Sequence, residues 1–136
     1  MNDARTYDQQ VEAILAYNQP LLDEFQDWLA HSGVSAKTIQ GHVENMAFFA
    51  TYLVYYDPLQ RLDEATSGDV WMFLSDWFPR KALWASTTSI RTYLTSFRKF
   101  FRWMGDTEHV PQEKVTEVLT MLKDERDAFL KAVAAW

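Results

Sequence analysis

The amino-acid sequence predicts an all-α protein of four to five helices. Apolar residues recur at helical spacing along almost the whole chain, and no stretch alternates apolar and polar residues as a half-buried strand does. The periodic segments are also punctuated by hydroxyl or acidic caps and by Gly or Pro stops. With 136 residues, 48% of them hydrophobic and 24% charged, the chain has the length and composition of a folded domain with one core.

A polar lead with a short helix around Val11 to Tyr17 fills residues 1–19. Pro20 then suits the first turn of a helix that carries Leu21, Leu22, Phe25, Trp28 and Leu29 and ends at Gly33. Ser35 caps a long second helix with Ile39, Val43, Met46, Ala50 and Leu53 in one stripe, stopped by Asp57-Pro58. Leu62 opens a linker to Thr66-Ser67-Gly68-Asp69, a capped start for a third helix bearing Val70, Phe73, Leu74 and Trp77 and closed by Pro79. Ser86 to Ser89 suits the cap of a fourth helix. In it Ile90, Leu94, Phe97, Phe101 and Met104 share one direction, and Gly105 supplies the stop. Past Pro111 a last helical segment carries Val115, Val118, Leu119 and Leu122 and continues toward Phe129 and Val133.

The residues present narrow the chemistry. The absence of cysteine excludes a disulfide framework, thiolate zinc sites and a cysteine nucleophile, and fits the cytoplasm. No apolar run approaches the roughly 20 residues of a membrane span. His31, His42 and His109 lack metal-ligand spacing and read as surface or interface residues. No phosphate loop, dinucleotide fingerprint or nucleophile elbow is present, so neither metal nor cofactor is expected. The acidic pairs Asp23-Glu24, Asp63-Glu64 and Asp124-Glu125 suit helix ends and solvated faces rather than catalysis. Phe25, Trp28, Phe49, Trp71, Phe73, Trp77, Phe97 and Phe101 read as core. Phe48, Tyr55, Trp84, Phe100 and Trp103 are candidates for a second apolar surface.

Charge is the informative quantity. The net charge of −6 argues against a polyanionic partner, yet the average conceals an asymmetry. Arg80, Lys81, Arg91, Arg98, Lys99 and Arg102 fall in one segment without a single acid, whereas the rest of the chain holds seven basic and 19 acidic residues. On the fourth helix Arg91, Thr95, Arg98, Lys99 and Arg102 lie on one flank, within about 80° to about 180° of Ile90. Such a face can meet phosphates with its cations and add short hydrogen bonds from its hydroxyls; a merely solvated face is the alternative. Ser35-Ala36-Lys37-Thr38 places exposed N–H groups and a lysine at a helix start, an arrangement that can hold a phosphate or serve as an ordinary cap.

The ordered motifs resemble the N-terminal core-binding, or SAM-like, domain of tyrosine recombinases and phage integrases. Leu21 to Leu29 is similar to that family's first helix, and Ser35 to Ile39 with Met46, Phe49 and Leu53 to its second. Leu62 to Thr66 with Asp69-Val70 and Phe73-Leu74 resembles the third element; Ser86 to Ile90 with Leu94, Phe97-Arg98, Phe101 and Trp103-Met104-Gly105 resembles the fourth. The likeness runs from Pro20 to Pro111 and implies a four- to five-helix SAM-like orthogonal bundle over residues 20–111. It also implies half of a clamp around duplex DNA, with the second and fourth helices facing the major groove. On that pattern Lys37, Thr38 and His42 in the second helix and Thr88, Arg91 and Thr92 in the fourth contact DNA. Arg98 joins them from the cationic flank, and Arg80 and Lys81 from the connection.

Two departures from the family pattern bear on activity. Integrase chemistry, attack of a tyrosine hydroxyl on a phosphodiester to give a 3′-phosphotyrosyl intermediate, uses an Arg, a Lys, a His-x-x-Arg element and the Tyr of a separate catalytic domain. Here the three histidines are followed at the third position by Val34, Asn45 and Gln112, and no such set is recognisable. His109-Val110-Pro111 stands where the family has an asparagine-proline stretch. The resemblance therefore implies a noncatalytic DNA-binding module for site-specific recombination or integration. Its partners are duplex DNA, a catalytic domain absent from this chain and neighbouring protomers on the DNA. Residues 112–136 form either a linker toward that catalytic domain or a tail docking on a neighbouring protomer. The rival reading is a helical protein-interaction module that keeps the fold without binding DNA, with an exposed apolar patch around Phe100, Trp103 or Trp84.

Overall fold

The computed structural model describes residues 5–135; the first four residues of the polar lead and Trp136 lie outside them. Every regular element among the described residues is helical. In chain order they are α1 (Tyr7–His31), α2 (Ala36–Leu53), a 3-10 turn (Leu62–Glu64), α3 (Ser67–Met72), a π turn (Phe73–Trp77), α4 (Phe78–Lys81), α5 (Thr87–Asp106), α6 (Gln112–Asp124) and α7 (Arg126–Ala134). The chain separates between Ala65 and Thr66 into two compact units.

In the first unit α1 is one unbroken helix, which corrects the expectation of a short helix followed by a new start at Pro20. Its beginning is set by a capping box: Thr6 accepts from the Gln9 N–H while the Gln9 side chain accepts from the Thr6 N–H. Pro20 lies within the helix and cannot donate to the Ala16 carbonyl, but both residues are exposed, so that carbonyl faces solvent. Flanking contacts hold the helix across this gap. The Tyr7 hydroxyl donates to the Val54 carbonyl at 2.6 Å, and Tyr17 donates to Asp63 at 2.7 Å while stacking under the Arg61 guanidinium. Buried Asn18 accepts from the Leu62 N–H at 3.0 Å. Leu62, expected in a linker, is wholly buried in its 3-10 turn because that bond satisfies its backbone.

The core of this unit is the α1 stripe of Leu21, Leu22, Phe25 and Leu29 together with Met46, Phe49, Ala50 and Leu53 of α2. Ile39 and Val43 are only half-buried. Gly33, at φ 80°, closes α1 in the left-handed conformation expected of a helix stop. Replacing Asn18 with alanine strands the buried Leu62 N–H, so denaturant unfolding is expected to show a loss of about 1–3 kcal/mol. An unchanged midpoint would show that the turn is held without this bond.

The second unit is built around α5, whose Ile90, Leu94, Phe97, Phe101 and Met104 are all buried, as their periodicity predicts. Thr66 with Asp69 and Ser86 with Ser89 form complete capping boxes at α3 and α5. Pro79 does not end the third helical stretch, which runs on to Lys81. Just before Pro79 the Phe78 N–H reaches back five residues to the Phe73 carbonyl, a wide turn that accommodates a residue with no N–H of its own.

Three further expectations are corrected. Phe100 and Trp103 are buried rather than on a second apolar surface, because α5 packs against both α6 and α7 and so needs more than one apolar stripe. Trp71, expected in the core, stays 40% exposed on short α3. Gly105 is also not a stop, since α5 continues through it to Asp106. A Cβ at Gly105 would lie 2.6 Å from Val115 Cγ2 and 2.9 Å from Gln112 Nε2, so glycine is required for the close approach of α6. Val115 is buried and β-branched and has little freedom to yield. Gly105→Ala is expected to destabilise the protein by about 1–3 kcal/mol despite the better helix propensity of alanine, an overpacking cost that thermal unfolding reads directly.

Candidate nucleic-acid interface

The residues singled out for DNA contact lie in both units. In the first, Ser35 caps α2 by accepting from the Thr38 N–H at 3.2 Å, and its hydroxyl donates to Thr38 Oγ1 at 2.9 Å. Lys37 and Thr38 are exposed on the opening turn of α2, which carries no acid. His42 is 4% exposed, so burial withdraws it from any surface the helix start offers. This also corrects its reading as a surface histidine. Of the other two, His31 is exposed with Nδ1 2.7 Å from the Asp27 carbonyl, and His109 stacks on Trp103.

In the second unit α5 brings most of the remaining candidates onto one face. Thr88, Arg91, Thr92 and Arg102 are exposed, and Thr95, Arg98 and Lys99 are half-buried beside them. The face spans about 21 Å from Thr88 to Arg102 at 1.5 Å per residue, equal to about six base-pair steps of 3.4 Å. Its hydroxyls are pre-positioned: Thr92 donates to the Thr88 carbonyl at 3.2 Å and Thr95 to the Arg91 carbonyl at 3.3 Å, which leaves their lone pairs outward. Arg98 donates to Thr95 Oγ1 at 3.1 Å. No carboxylate among the described residues pairs with Arg91, Lys99 or Arg102.

Arg80 behaves differently. It binds Asp76 through two parallel hydrogen bonds, Nε to Oδ1 at 3.1 Å and Nη2 to Oδ2 at 2.9 Å, so part of its charge is already answered within the chain. The i,i+4 spacing of Asp76 and Arg80 was the sequence signal for this pair. Lys81 is exposed at the end of α4. After it, Leu83 is fully exposed at 102% and Trp84 is 57% exposed, with the Trp84 ring edge-on to Phe78.

Sequence reasoning missed Lys123 and Arg126. With Arg98 and Arg102 they line a groove of about 390 Å³ formed by α5, α6 and Arg126 at the start of α7. Their spacing of three residues was visible, but the intervening Asp124-Glu125 disguised it as a neutral stretch. Burial, with the neighbouring charges of Arg102 and Arg126, lowers the Arg98 pKa from its ordinary value. Among the described residues no cluster of His, Cys, Asp or Glu could hold a metal ion, and no helix is long and apolar enough to cross a membrane.

The family model for the phage integrase N-terminal SAM-like domain matches residues 22–108. The chain belongs to the phage integrase N-terminal SAM-like family. The match runs from the α1 stripe past the end of α5 and covers the four elements whose motifs carry the resemblance. It thus ties the chain to the non-catalytic, N-terminal part of tyrosine recombinases and identifies the helical fold as SAM-like. Helices α6 and α7 lie beyond the matched residues of this integrase domain. Comparison with curated proteins and with solved structures finds no match.

Proposed function

We propose that the chain binds duplex DNA as the noncatalytic core-binding part of a tyrosine recombinase, in site-specific recombination or integration. Residues 20–111 serve as the core-binding domain, and 112–136 as its helical extension toward a catalytic domain or a neighbouring protomer. The supporting observation is the α5 face, where Arg91, Lys99 and Arg102 stand among ordered threonines with no pairing acid among the described residues, in a protein that is otherwise strongly acidic. Arg91, Arg98 and Lys37 meet phosphates, and Thr38, Thr88 and Thr92 supply hydrogen bonds to backbone or base edges. Lys81 adds charge at the approach to α5, and Arg80 contributes only in competition with Asp76. His42 has no part in it, being buried.

The test is an NMR titration of labelled protein with a short duplex at low salt. Salt-sensitive shifts concentrated at Lys37, Thr38 and residues 80–102 are expected. If about four to six phosphates are neutralised, log K falls against log salt with a slope of about −4 to −5. No shifts at high duplex concentration with the fold intact would overturn the proposal. Asp76→Asn releases Arg80 from its ion pair and is expected to tighten duplex binding severalfold and to steepen the salt slope by up to about one. Binding by this variant equal to that of the parent would show that Arg80 stands away from the DNA.

One observation favours the rival reading of a protein-interaction module. Leu83 and Trp84 present apolar surface, although Phe100 and Trp103 do not. That reading predicts association that survives high salt and is abolished by Trp84→Ala, whereas DNA binding fades as salt rises.

A further inference from the structure

The groove lined by Arg98, Arg102, Lys123 and Arg126 is electrostatically costly to the fold. Four cations converge on about 390 Å³, and no acid among the described residues lines it. Like charges held together repel, and the partial burial of Arg98 deepens the cost, which is why its guanidinium holds its proton less tightly than usual. Among the described residues the carboxylate that meets these cations is Asp127, 3.8 Å from Arg126 Nη1 and 86% exposed, a long and solvent-screened contact that an incoming anion can displace. Half-buried Leu119 adds apolar surface to the lining, whereas Leu122 is buried.

We propose that this groove seats backbone phosphates of the duplex and carries the DNA contact from α5 onto the segment beyond the family domain, through Lys123 and Arg126. The inference rests on the DNA-binding reading above. Two features favour a phosphodiester backbone over a free anion or an acidic peptide. The groove is continuous with the α5 face, because Arg98, which lines it, donates to Thr95 on that face. Its lining also combines the four cations with half-buried Leu119, and a nucleic-acid strand offers phosphates to the cations and sugar carbons to the leucine. Arginine suits the phosphate part, since its planar fork can grip two oxygens at once.

The experiment measures binding of a fluorescent duplex by anisotropy between about 50 and about 200 mM salt. It compares the parent protein with K123Q/R126Q and with the charge-keeping K123R/R126K. The glutamine pair is expected to weaken binding roughly a hundredfold at the lowest salt and to make the salt slope shallower by about two, one for each lost phosphate contact. The charge-keeping pair is expected to bind like the parent, and the thermal midpoints of all three should agree, since both sites are exposed. A glutamine pair that binds with the parent's affinity and slope overturns this inference and leaves the α5 reading standing. Equal losses in both pairs also overturn it, because charge would then not be the cause. A parent that binds no duplex overturns both readings together.

Discussion

Phe73→Ala is expected to destabilise the protein by about 3–5 kcal/mol, enough to consume a large part of the stability of an ordinary domain. Phe73 is wholly buried in the π turn at the centre of an aromatic cluster. Its ring centroid lies 5.3 Å from Tyr93, 5.6 Å from Phe78, 5.8 Å from Trp77 and 6.0 Å from Phe97. Each pair, stacked with Trp77 and tilted or edge-on with the others, sits at a separation where rings attract beyond simple area burial. Truncation removes these contacts and leaves a void bounded by stiff rings that cannot collapse into it. The wide turn adds to the loss, because its irregular hydrogen bonding depends on packing to hold it. Thermal unfolding should show a midpoint lowered by roughly 10 °C or more. Phe73→Leu should recover much of the difference by filling part of the space. A midpoint within about 2 °C of the parent for the alanine variant would mean that the aromatic cluster is not the keystone of this unit.

The parts of this fold that are legible in the sequence are those governed by local rules. Ser35, Thr66 and Ser86 cap helices because a side-chain oxygen three residues before an unsatisfied N–H is a purely local arrangement. The buried stripe of α5 follows from its 3.6-residue period in the same way. Local rules mislead where tertiary contacts outweigh them. Pro20 reads as a helix start, but the Tyr7, Tyr17 and Asn18 anchors carry α1 past it. Gly105 reads as a stop, but its missing Cβ serves the approach of Val115 from another helix. Phe100 and Trp103 fall outside a single apolar stripe, and only the packing of both α6 and α7 on α5 shows why a second is needed.

The candidate interface divides along the same line. The acid-free run from Arg80 to Arg102 is a property of composition, and helical geometry alone gathers its α5 members on one face. Pairing is not visible at that level. Arg80 counts fully in the charge tally, yet the fold holds it against Asp76, and His42 shares a helix with Lys37 but is turned into the core. Conversely, Lys123 and Arg126 add nothing to the local charge balance beside Asp124 and Glu125, and the fold brings them to Arg98 and Arg102. A charge tally thus finds the face but misjudges which cations it can use.

Arg91→Glu is expected to weaken duplex binding by about two orders of magnitude at low salt. Arg91 is exposed on the first half of α5, between Thr88 and Thr92, and no carboxylate among the described residues pairs with it. Neutralising it removes about one phosphate contact, worth close to one unit of salt slope and roughly tenfold in affinity. Reversal adds repulsion between the new carboxylate and the same phosphate, so Arg91→Gln should lie midway between parent and reversal. Because both terms are electrostatic, the three proteins should converge as salt rises and the Debye length contracts to a few ångströms. Stability should shift by no more than about 0.5 kcal/mol, since the side chain is on the surface. Thr92→Ala provides the contrast. Its hydroxyl is tied to the Thr88 carbonyl at 3.2 Å and offers only a lone pair, so its loss should cost no more than a few-fold and leave the salt slope unchanged. If Arg91→Glu bound duplex as the parent does across the salt range, the α5 face would be a solvated flank after all. The exposed Leu83 and Trp84 would then become the surface to pursue.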